Sequence, residues 1–376
     1  MKILVVYASA GAGHRKAAEA IYNYIRREQK QVSVDIADIL DYTPFLYKFF
    51  YEEGYFFLVT YLPTLWNILY RITDSRLLKP LINRMSSILG YFSIFSFLKY
   101  LDQENPDTII STHFLLNELL VYLKRKNKIN CKVVSVVTDF DVHSFWASRA
   151  VDKYIVATDY TKNALMKKQI PEDKIKVLGI PCDMKFSIRQ DRKNMRQNLG
   201  LELDTFTVLI VTGVIGIGPI EKIVKLLSKN DIQSIVVCGR NKSLFSRLKN
   251  KNYNKAKMFG FVDNVDELMS ASDLIITKAG GLTIAESLAK ELPMIFISII
   301  PGQEEFNAHL LTNYGVGLIP CNLDDLIKIV IRLKKDSREL NEIKEKIKII
   351  NRPEALENIF YEVCANTSRS ASRRAV

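Results

Sequence analysis

Four short blocks of this 376-residue sequence gather residue types that can do chemistry. The first is Ser9-Ala10-Gly11-Ala12-Gly13-His14, set between an apolar run and a helical pattern. Glycine lets backbone N–H groups approach an anion closely, and the start of a helix adds about half a positive charge. The same glycines also suit a plain turn that needs positive φ. His14 adds an imidazole, whose ordinary pKa near 6.5 fits it to take a proton from a hydroxyl. The second block is Thr138-Asp139-Phe140-Asp141-Val142-His143-Ser144-Phe145-Trp146. Its D-x-D pair has the hard oxygen ligands that a divalent ion prefers, yet supplies only two of them. The expectation is therefore no metal, with Asp139 orienting a histidine or an acceptor hydroxyl and Trp146 forming an amphipathic wall.

The third block, Lys278-Ala279-Gly280-Gly281-Leu282-Thr283-Ile284-Ala285-Glu286, repeats the order of strand, glycines and helix. Two readings stand side by side. Thr283 and Glu286 have the T-x-x-E spacing of a capping box, which needs no ligand. Alternatively the helix start holds an anion and Glu286 accepts hydrogen bonds from a vicinal diol such as ribose. The fourth block, Pro301-Gly302-Gln303-Glu304-Glu305-Phe306-Asn307, brings two amides and two carboxylates to the end of an apolar strand. Such a turn can hydrogen-bond sugar hydroxyls, or simply be solvated and lead into a helix.

The elements that must carry these blocks alternate regularly. KILVVYAS, VSVDIADIL, DTIISTH, KVVSVVTD, KYIVATD and KIKVLGIP read as the buried strands of one α/β domain, residues 1–182. Residues 183–200 are charged and carry no strand pattern, so composition marks them as a linker. TFTVLIVTG, SIVVCG, KAKMFGFV, DLIITKAGG, PMIFIS and GVGLIP give a second domain, residues 201–351, and a helix over about 352–366 is expected to pack back on the first. Doubly wound sheets bind ligands outside the carboxyl ends of their strands, so the expected site is a central cleft between the two. The tail SRSASRRAV has too little apolar content to order itself and is expected to fray.

Composition narrows the function. With 48% hydrophobic and 25% charged residues the chain is neither disordered nor fibrous. Its net charge of +12 attracts polyanions: nucleic acid, anionic lipid or phosphorylated substrates. The basic residues are scattered and no helix-turn-helix, RNP or zinc pattern appears, so nucleic acid is not an expected partner and remains only as the non-enzymatic alternative. Five widely spaced cysteines without a C-x-x-C pair fit a reducing cytosol. MKILVVYASAGAGH reads as a strand and its turn and not as a signal peptide. The uncharged stretch from Gly54 to Tyr70 falls short of the roughly 20 residues that a spanning helix needs, and reads as a surface or core segment.

In order along roughly residues 1–315, the runs YASAGAGHRKAAEAI, VTDFDVHSFW, VVCGRN, FGFVDNVDELMSASD, TKAGGLTIAESLAKELPMI and PGQEEFNA carry a resemblance. The chain resembles the GT-B glycosyltransferases related to the enzyme that adds N-acetylglucosamine to peptidoglycan lipid I. It is most similar to monogalactosyldiacylglycerol synthases and processive diacylglycerol glucosyltransferases. The resemblance implies two Rossmann-like doubly wound domains facing a cleft, and an inverting transfer of glucose or galactose from UDP-glucose or UDP-galactose to diacylglycerol, with no cofactor and no required metal. Transfer to another lipid or polyprenyl acceptor, and a UDP-sugar epimerase, are the rivals it leaves. On the acceptor side it places His14 as base near the hydroxyl, with Asp139, Gly11, Gly13, His143 and Trp146. On the donor side it places Phe261 and Val262 at the uracil and Glu286 at the ribose. Gly280, Gly281 and Thr283, beside Lys278, would cradle the pyrophosphate, Arg240 and Asn241 would line the cleft, and Gln303 and Glu304 would meet the sugar. Gly213 opens a further loop, in which bulky Val214 and Ile215 stand where the family is richer in glycine. Between Phe45 and Leu101, aromatics stand beside lysines and arginines, a mix that inserts shallowly at a bilayer or packs as a helical hairpin on the sheet, with some of each expected. The implied location is cytoplasmic, peripheral on the inner membrane face and held to anionic lipid by the positive charge.

Overall fold

The computed structural model of the chain describes residues 1–9, 11–74, 96–214, 216–251 and 253–365. Ala10, Ile215, most of the second half of the aromatic and basic segment, and the expected frayed tail lie outside the described residues. The chain divides into two compact units, Met1–Met184 with Pro301–Gln303 and the residues from Glu354 onward, and Lys185–Ile300 with Glu304–Pro353.

The first unit begins with β1 (Lys2–Tyr7), α1 (Ala12–Glu28) and β2 (Ser33–Asp38), then the helix pair α2 (Phe45–Tyr61) and α3 (Pro63–Thr73). A helix described over residues 96–104 (α4) precedes β3 (Thr108–Ser111), α5 (Phe114–Arg125), β4 (Lys132–Val136), β5 (Lys153–Val156), α6 (Asp159–Lys167) and β6 (Ile175–Val177). The strands pair in the order β2-β1-β3-β4-β5-β6, every pair parallel. Their near-continuous apolar composition follows, because a parallel sheet is covered on both faces. Alternation along β1 splits the covering: Ile3 and Val5 pack with Ile21 and Ile25 of α1, while Leu4 and Val6 face Phe97 and Leu101 of α4.

Between α2 and α3 the helix breaks at Leu62, because Pro63 has no N–H to give and is tolerated only in a first turn. The pair leaves large apolar side chains outside: Phe45 is 79% exposed, Phe50 69% and Phe57 52%, with Leu65, Ile68 and Ile72 exposed on α3. Among the described residues no helix is long and apolar enough to cross a membrane.

The second unit contains α7 (Arg192–Asn198), β7 (Thr207–Val211), α8 (Ile220–Lys229), β8 (Gln233–Val237), α9 (Lys242–Asn250), β9 (Ala256–Phe259), α10 (Val265–Ser270) and β10 (Leu274–Thr277). It continues with α11 (Gly281–Ala289), β11 (Met294–Phe296), α12 (Gln303–Asn313), β12 (Gly317–Leu318), α13 (Leu323–Lys335) and α14 (Ser337–Ile350). Its strands lie in the order β12-β11-β10-β7-β8-β9, again all parallel, which is the doubly wound order of dinucleotide-binding sheets. Residues 185–200, which composition marks as a linker, belong to this unit. Arg196 of α7 is buried and pairs with Asp273 at 2.7 Å, Arg192 reaches the other oxygen of that carboxylate at 2.6 Å, and the Thr207 N–H donates to it at 2.8 Å. Removing one partner of a buried pair of this kind costs about 3–5 kcal/mol, so the charges in this stretch are structural. The last described helix, α15 (Ala355–Cys364), returns to the first unit and buries Leu356, Ile359, Phe360 and Val363 in the same core as Ile3 and Val5.

Candidate active site

In a doubly wound sheet the crevice opens where the strand order reverses, outside the carboxyl ends of the two flanking strands. In the first unit this point falls between β1 and β3, and the residues that follow those strands and β4 meet there. Gly11 leaves β1 at φ +100° and ψ 147°, a region that glycine alone enters easily, and caps α1 with no side-chain hydrogen bond. Gly13 lies inside the first turn of that helix, where no positive φ is needed. The Ser9 hydroxyl and N–H are both held by Asp38 at the end of β2.

This turn sets His14 against β3 and β4. His14 Nδ1 lies 2.9 Å from the Thr112 carbonyl and 2.7 Å from the Thr138 hydroxyl, and the Thr112 hydroxyl donates to the His14 carbonyl at 2.9 Å. A carbonyl can only accept, so Nδ1 carries the proton and Nε2 keeps its lone pair. Burial pushes the imidazole pKa below its ordinary 6.5, against the opposing pull of the Asp139 charge and the Thr112 carbonyl. His14 is thus a neutral ring with its basic nitrogen fixed by a tautomer-selecting bond, the state a general base requires.

Beside it stands a histidine that sequence reasoning left within a strand. His113, the second residue past β3, is 2% exposed and presents its ring edge-to-face to His14, with centroids 4.5 Å apart. The Leu115 N–H donates to its Nδ1 at 3.1 Å, so the proton sits on Nε2. Burial, and the neighbouring His14, hold its pKa well below 6.5. The available signal was position: a polar residue just past a buried strand at the reversal of strand order.

Asp139 is buried and accepts a hydrogen bond from Gln303 Nε2 at 2.5 Å. Gln303, which the resemblance assigns to the donor sugar, is therefore an Asp139 partner in the first unit. Asp141 is pushed above the usual carboxylate range by burial, helped by the nearby Asp74 and Asp139 charges. Among the described residues no group of three His, Cys, Asp or Glu side chains lies close enough together to hold a metal ion.

His143 does a different task from His14. Its Nδ1 accepts from the Phe145 N–H at 3.3 Å and its Nε2 donates to the Tyr70 carbonyl at 3.1 Å, which fastens the loop after β4 to the end of α3. Asp74, just past α3, strengthens the tie through the Ser144 N–H at 2.6 Å and Lys168 at 2.8 Å. Trp146 is buried at 2% exposure, its carbonyl held by the Tyr154 hydroxyl at 2.8 Å.

These groups enclose a cavity of about 400 Å³, lined at its base by His14, His113 and Asp139 and along its walls by Trp66 and Tyr70 of α3 and Phe50 of α2. Its walls are mostly apolar and its few polar groups converge, the composition of a small-molecule site. Its lining joins the histidines and carboxylates that follow the strands to side chains of the two aromatic helices.

The second unit has its own reversal point, between β7 and β10. Gly213 after β7 has φ +85°, and a Cβ there would stand 3.3 Å from Cε of Lys278, the residue after β10. Lys278 pairs with Glu304 at 2.9 Å, and the other Glu304 oxygen accepts from the Ile300 N–H at 3.1 Å. Glu304, expected at the sugar, thus already neutralises this lysine. The Asn307 amide donates to the Ala279 carbonyl at 3.0 Å and braces the glycine turn.

The capping-box reading of Thr283 and Glu286 is overturned. α11 starts at Gly281 with Gly280 as its N-cap and no side-chain cap, so Thr283 and Glu286 lie within the helix and its first N–H groups lack a capping side chain. Asn241, expected in the cleft, is the N-cap of α9, accepting from the Leu244 N–H at 2.9 Å. The neighbouring Arg240 guanidinium stands 5.5 Å from the centre of the Phe261 ring, which is 53% exposed, while Val262 continues the same turn. Gly239 passes so close to the Val214 carbonyl that no Cβ fits, and the Arg240 N–H donates to that carbonyl at 2.7 Å.

Two six-stranded parallel sheets in tandem, each opening a site at its reversal point, define a protein of the GT-B class. Over 97% of its length the fold matches the MurG structure from Acinetobacter baumannii (TM-score 0.62, 14% identity, 99% of that chain). It also matches, again over 97% of this chain, a UDP-GlcNAc 2-epimerase from Neisseria meningitidis (TM-score 0.61, 15% identity, 100% of that chain). The family model for monogalactosyldiacylglycerol (MGDG) synthase matches residues 14–182, and that for the glycosyltransferase family 28 C-terminal domain matches residues 217–352. A processive diacylglycerol beta-glucosyltransferase of Bacillus cereus is 30% identical over 378 residues, spanning 97% of this chain and 93% of the relative. The chain belongs to this family of monogalactosyldiacylglycerol synthases and processive diacylglycerol glucosyltransferases, and it is a glycosyltransferase.

Proposed function

We propose that the protein transfers a hexose, glucose before galactose, from its UDP donor to diacylglycerol at a membrane surface, inverting the anomeric centre. The carrying observation is the cavity of about 400 Å³ lined both by a tautomer-fixed histidine and by side chains of an exposed aromatic helix pair, in a chain of this family. His14 Nε2 takes the proton of the acceptor hydroxyl as its oxygen bonds to the sugar C1. The bond from C1 to the diphosphate oxygen breaks, and its electron pair leaves with UDP. Asp139 and its partner Gln303 stand beside the reacting hydroxyl, and Trp146 walls the acceptor.

The donor belongs to the second unit. Its diphosphate would meet the uncapped start of α11 at Gly280 and Gly281, with Thr283 and the Gly213 turn, where backbone N–H groups and the helix dipole favour anions. Glu286 would take the ribose diol, Phe261 and Val262 the base, and Arg240 the wall beside it. Glu304, held by Lys278, would face the sugar. The exposed aromatics of α2 and α3, together with the +12 charge, favour docking on an anionic leaflet, which for a UDP-sugar enzyme is the cytoplasmic one.

The test is direct. Purified protein is incubated with diacylglycerol vesicles and a panel of UDP-sugars, and lipid products are resolved by mass spectrometry. Glycolipid formed from UDP-glucose or UDP-galactose is expected. Sugar transferred only to a polyprenyl lipid, or a UDP-sugar epimerised without any acceptor, would replace this reading with one of its rivals.

A further inference from the structure

Two histidine rings share the base of the cavity, and their tautomers are opposite. His14 is bonded through Nδ1 to a carbonyl oxygen and keeps a lone pair on Nε2. His113 is bonded through Nδ1 to an N–H and keeps a proton on Nε2. His113 is 2% exposed and lines the cavity, and its Nε2 is not among the buried polar atoms left without a partner: the N–H opens onto the cavity. A donor fixed in the wall of a mostly apolar cavity is one of the few polar groups there able to orient a ligand, and it calls for an acceptor oxygen on that ligand. The ring cannot swing away from the cavity. The Leu115 N–H fixes one edge at 3.1 Å, the Ser111 hydroxyl anchors its backbone carbonyl at 2.7 Å, and Phe114 packs against it with centroids 4.3 Å apart. Nor does it act by charge, because burial keeps it neutral.

We propose that His113 is a specificity-determining residue whose Nε2–H donates to an ester carbonyl on the carbon adjacent to the acceptor's free hydroxyl. The pair then reads two neighbouring oxygens at once: His14 accepts from the oxygen that will react, and His113 donates to the oxygen that will not. This rests on the reading of the cavity as the acceptor site. It adds that recognition extends past the hydroxyl to the acyl linkage, and so favours esters over ethers, whose single-bonded oxygen is the poorer acceptor. A site built to hydrogen-bond a substrate oxygen discriminates against an analogue lacking it, because its own buried group is then left unpaired.

The experiment compares two acceptors in the full-length protein with UDP-glucose or UDP-galactose: a 1,2-diacylglycerol and its counterpart bearing an ether at position 2. Wild type is expected to favour the diester by about 5- to 30-fold in kcat/KM, the range for one hydrogen bond made in a buried site. His113→Phe keeps a ring but removes the N–H, and the ratio should fall to about 1 or 2, through the diester's KM more than through kcat. His113→Gln, which returns an amide N–H near the same place, should restore part of the preference. Because the ratio is taken within one variant, partial loss of folded protein cancels. An unchanged preference in His113→Phe, or equal losses on both acceptors, would overturn the proposal while leaving the glycosyltransferase reading intact. Absence of any glycolipid in wild type, with either acceptor, would overturn both.

Discussion

Replacing His14 by alanine is expected to lower kcat about 10²- to 10⁴-fold, the usual worth of a positioned general base. The surrounding contacts grade the neighbours. Thr138 places its hydroxyl 2.7 Å from the nitrogen that the Thr112 carbonyl already holds. Thr138→Val keeps the shape and removes one neutral hydrogen bond worth about 0.5–1.5 kcal/mol, so kcat should fall only about 2- to 12-fold. Asp139 acts on the imidazole by charge, opposing the burial that wins overall. Wild type should therefore gain activity as pH rises through a value below 6.5, where His14 loses its proton and becomes a base. In Asp139→Asn the supporting charge is gone, the imidazole protonates less readily, and this acid limb should move further down. The assay is the initial rate of glycolipid formation from about pH 4.5 to 8 at saturating donor, with UDP binding measured separately to confirm that the variants are folded. Near-normal kcat in His14→Ala alongside lost activity in Asp139→Asn would refute the assignment and give the proton to the carboxylate. An acid limb that moves upward in Asp139→Asn would refute the electrostatic part alone.

Glu286→Gln should raise the UDP-sugar KM about 5- to 20-fold, since charged acceptors bond about twice as strongly as neutral ones. A protein that melts earlier with unaltered donor KM would give Glu286 a purely structural role. Chelators should leave the rate largely intact, with the helix start at Gly281 stabilising the departing diphosphate. Abolition by EDTA with rescue by Mg²⁺ or Mn²⁺ would revive Asp139 and Asp141 as ligands. Phe45→Ser combined with Phe57→Ser should weaken binding to anionic vesicles roughly 10-fold or more, because each exposed ring contributes about 1 kcal/mol when half-buried in lipid. Unchanged co-sedimentation would move the docking face elsewhere.

Eleven of the twelve strands lie within runs that apolar patterning picks out and β8 starts one residue before its run, because parallel strands buried on both faces are short, apolar and bounded by turn residues. The glycine turns and His14 were legible for the same reason: they sit just past those runs. What was not legible depends on lateral strand order. His14 and Thr112 are 98 positions apart and meet only because β1 lies beside β3, and the decisive partner is a backbone carbonyl, which no side-chain pattern reveals. His113 shared this fate, looking like the end of a strand. Thr283 and Glu286 misled in the opposite direction, since their spacing mimics a cap while the helix begins two residues before Thr283, with glycine as its cap. At Arg192 and Arg196, composition marked a linker where a single buried carboxylate, Asp273, draws both into the fold.

The return of α15 to the first unit fixes an order of events during synthesis. Ile359, Phe360 and Val363 share one face of the sheet that starts at Lys2 with Ile21 and Ile25 of α1, so until α15 is made α1 covers that face without them. The second unit, by contrast, is continuous from Lys185 to Pro353 apart from Pro301–Gln303. Domains generally complete in the order they are translated. Here the first unit, whose six strands are all made before β7, waits for a helix made only after the whole second unit, with part of a sheet face and the aromatic helices α2 and α3 exposed together meanwhile. Such a chain is a candidate for early capture by chaperones or by the membrane itself before the enzyme is whole.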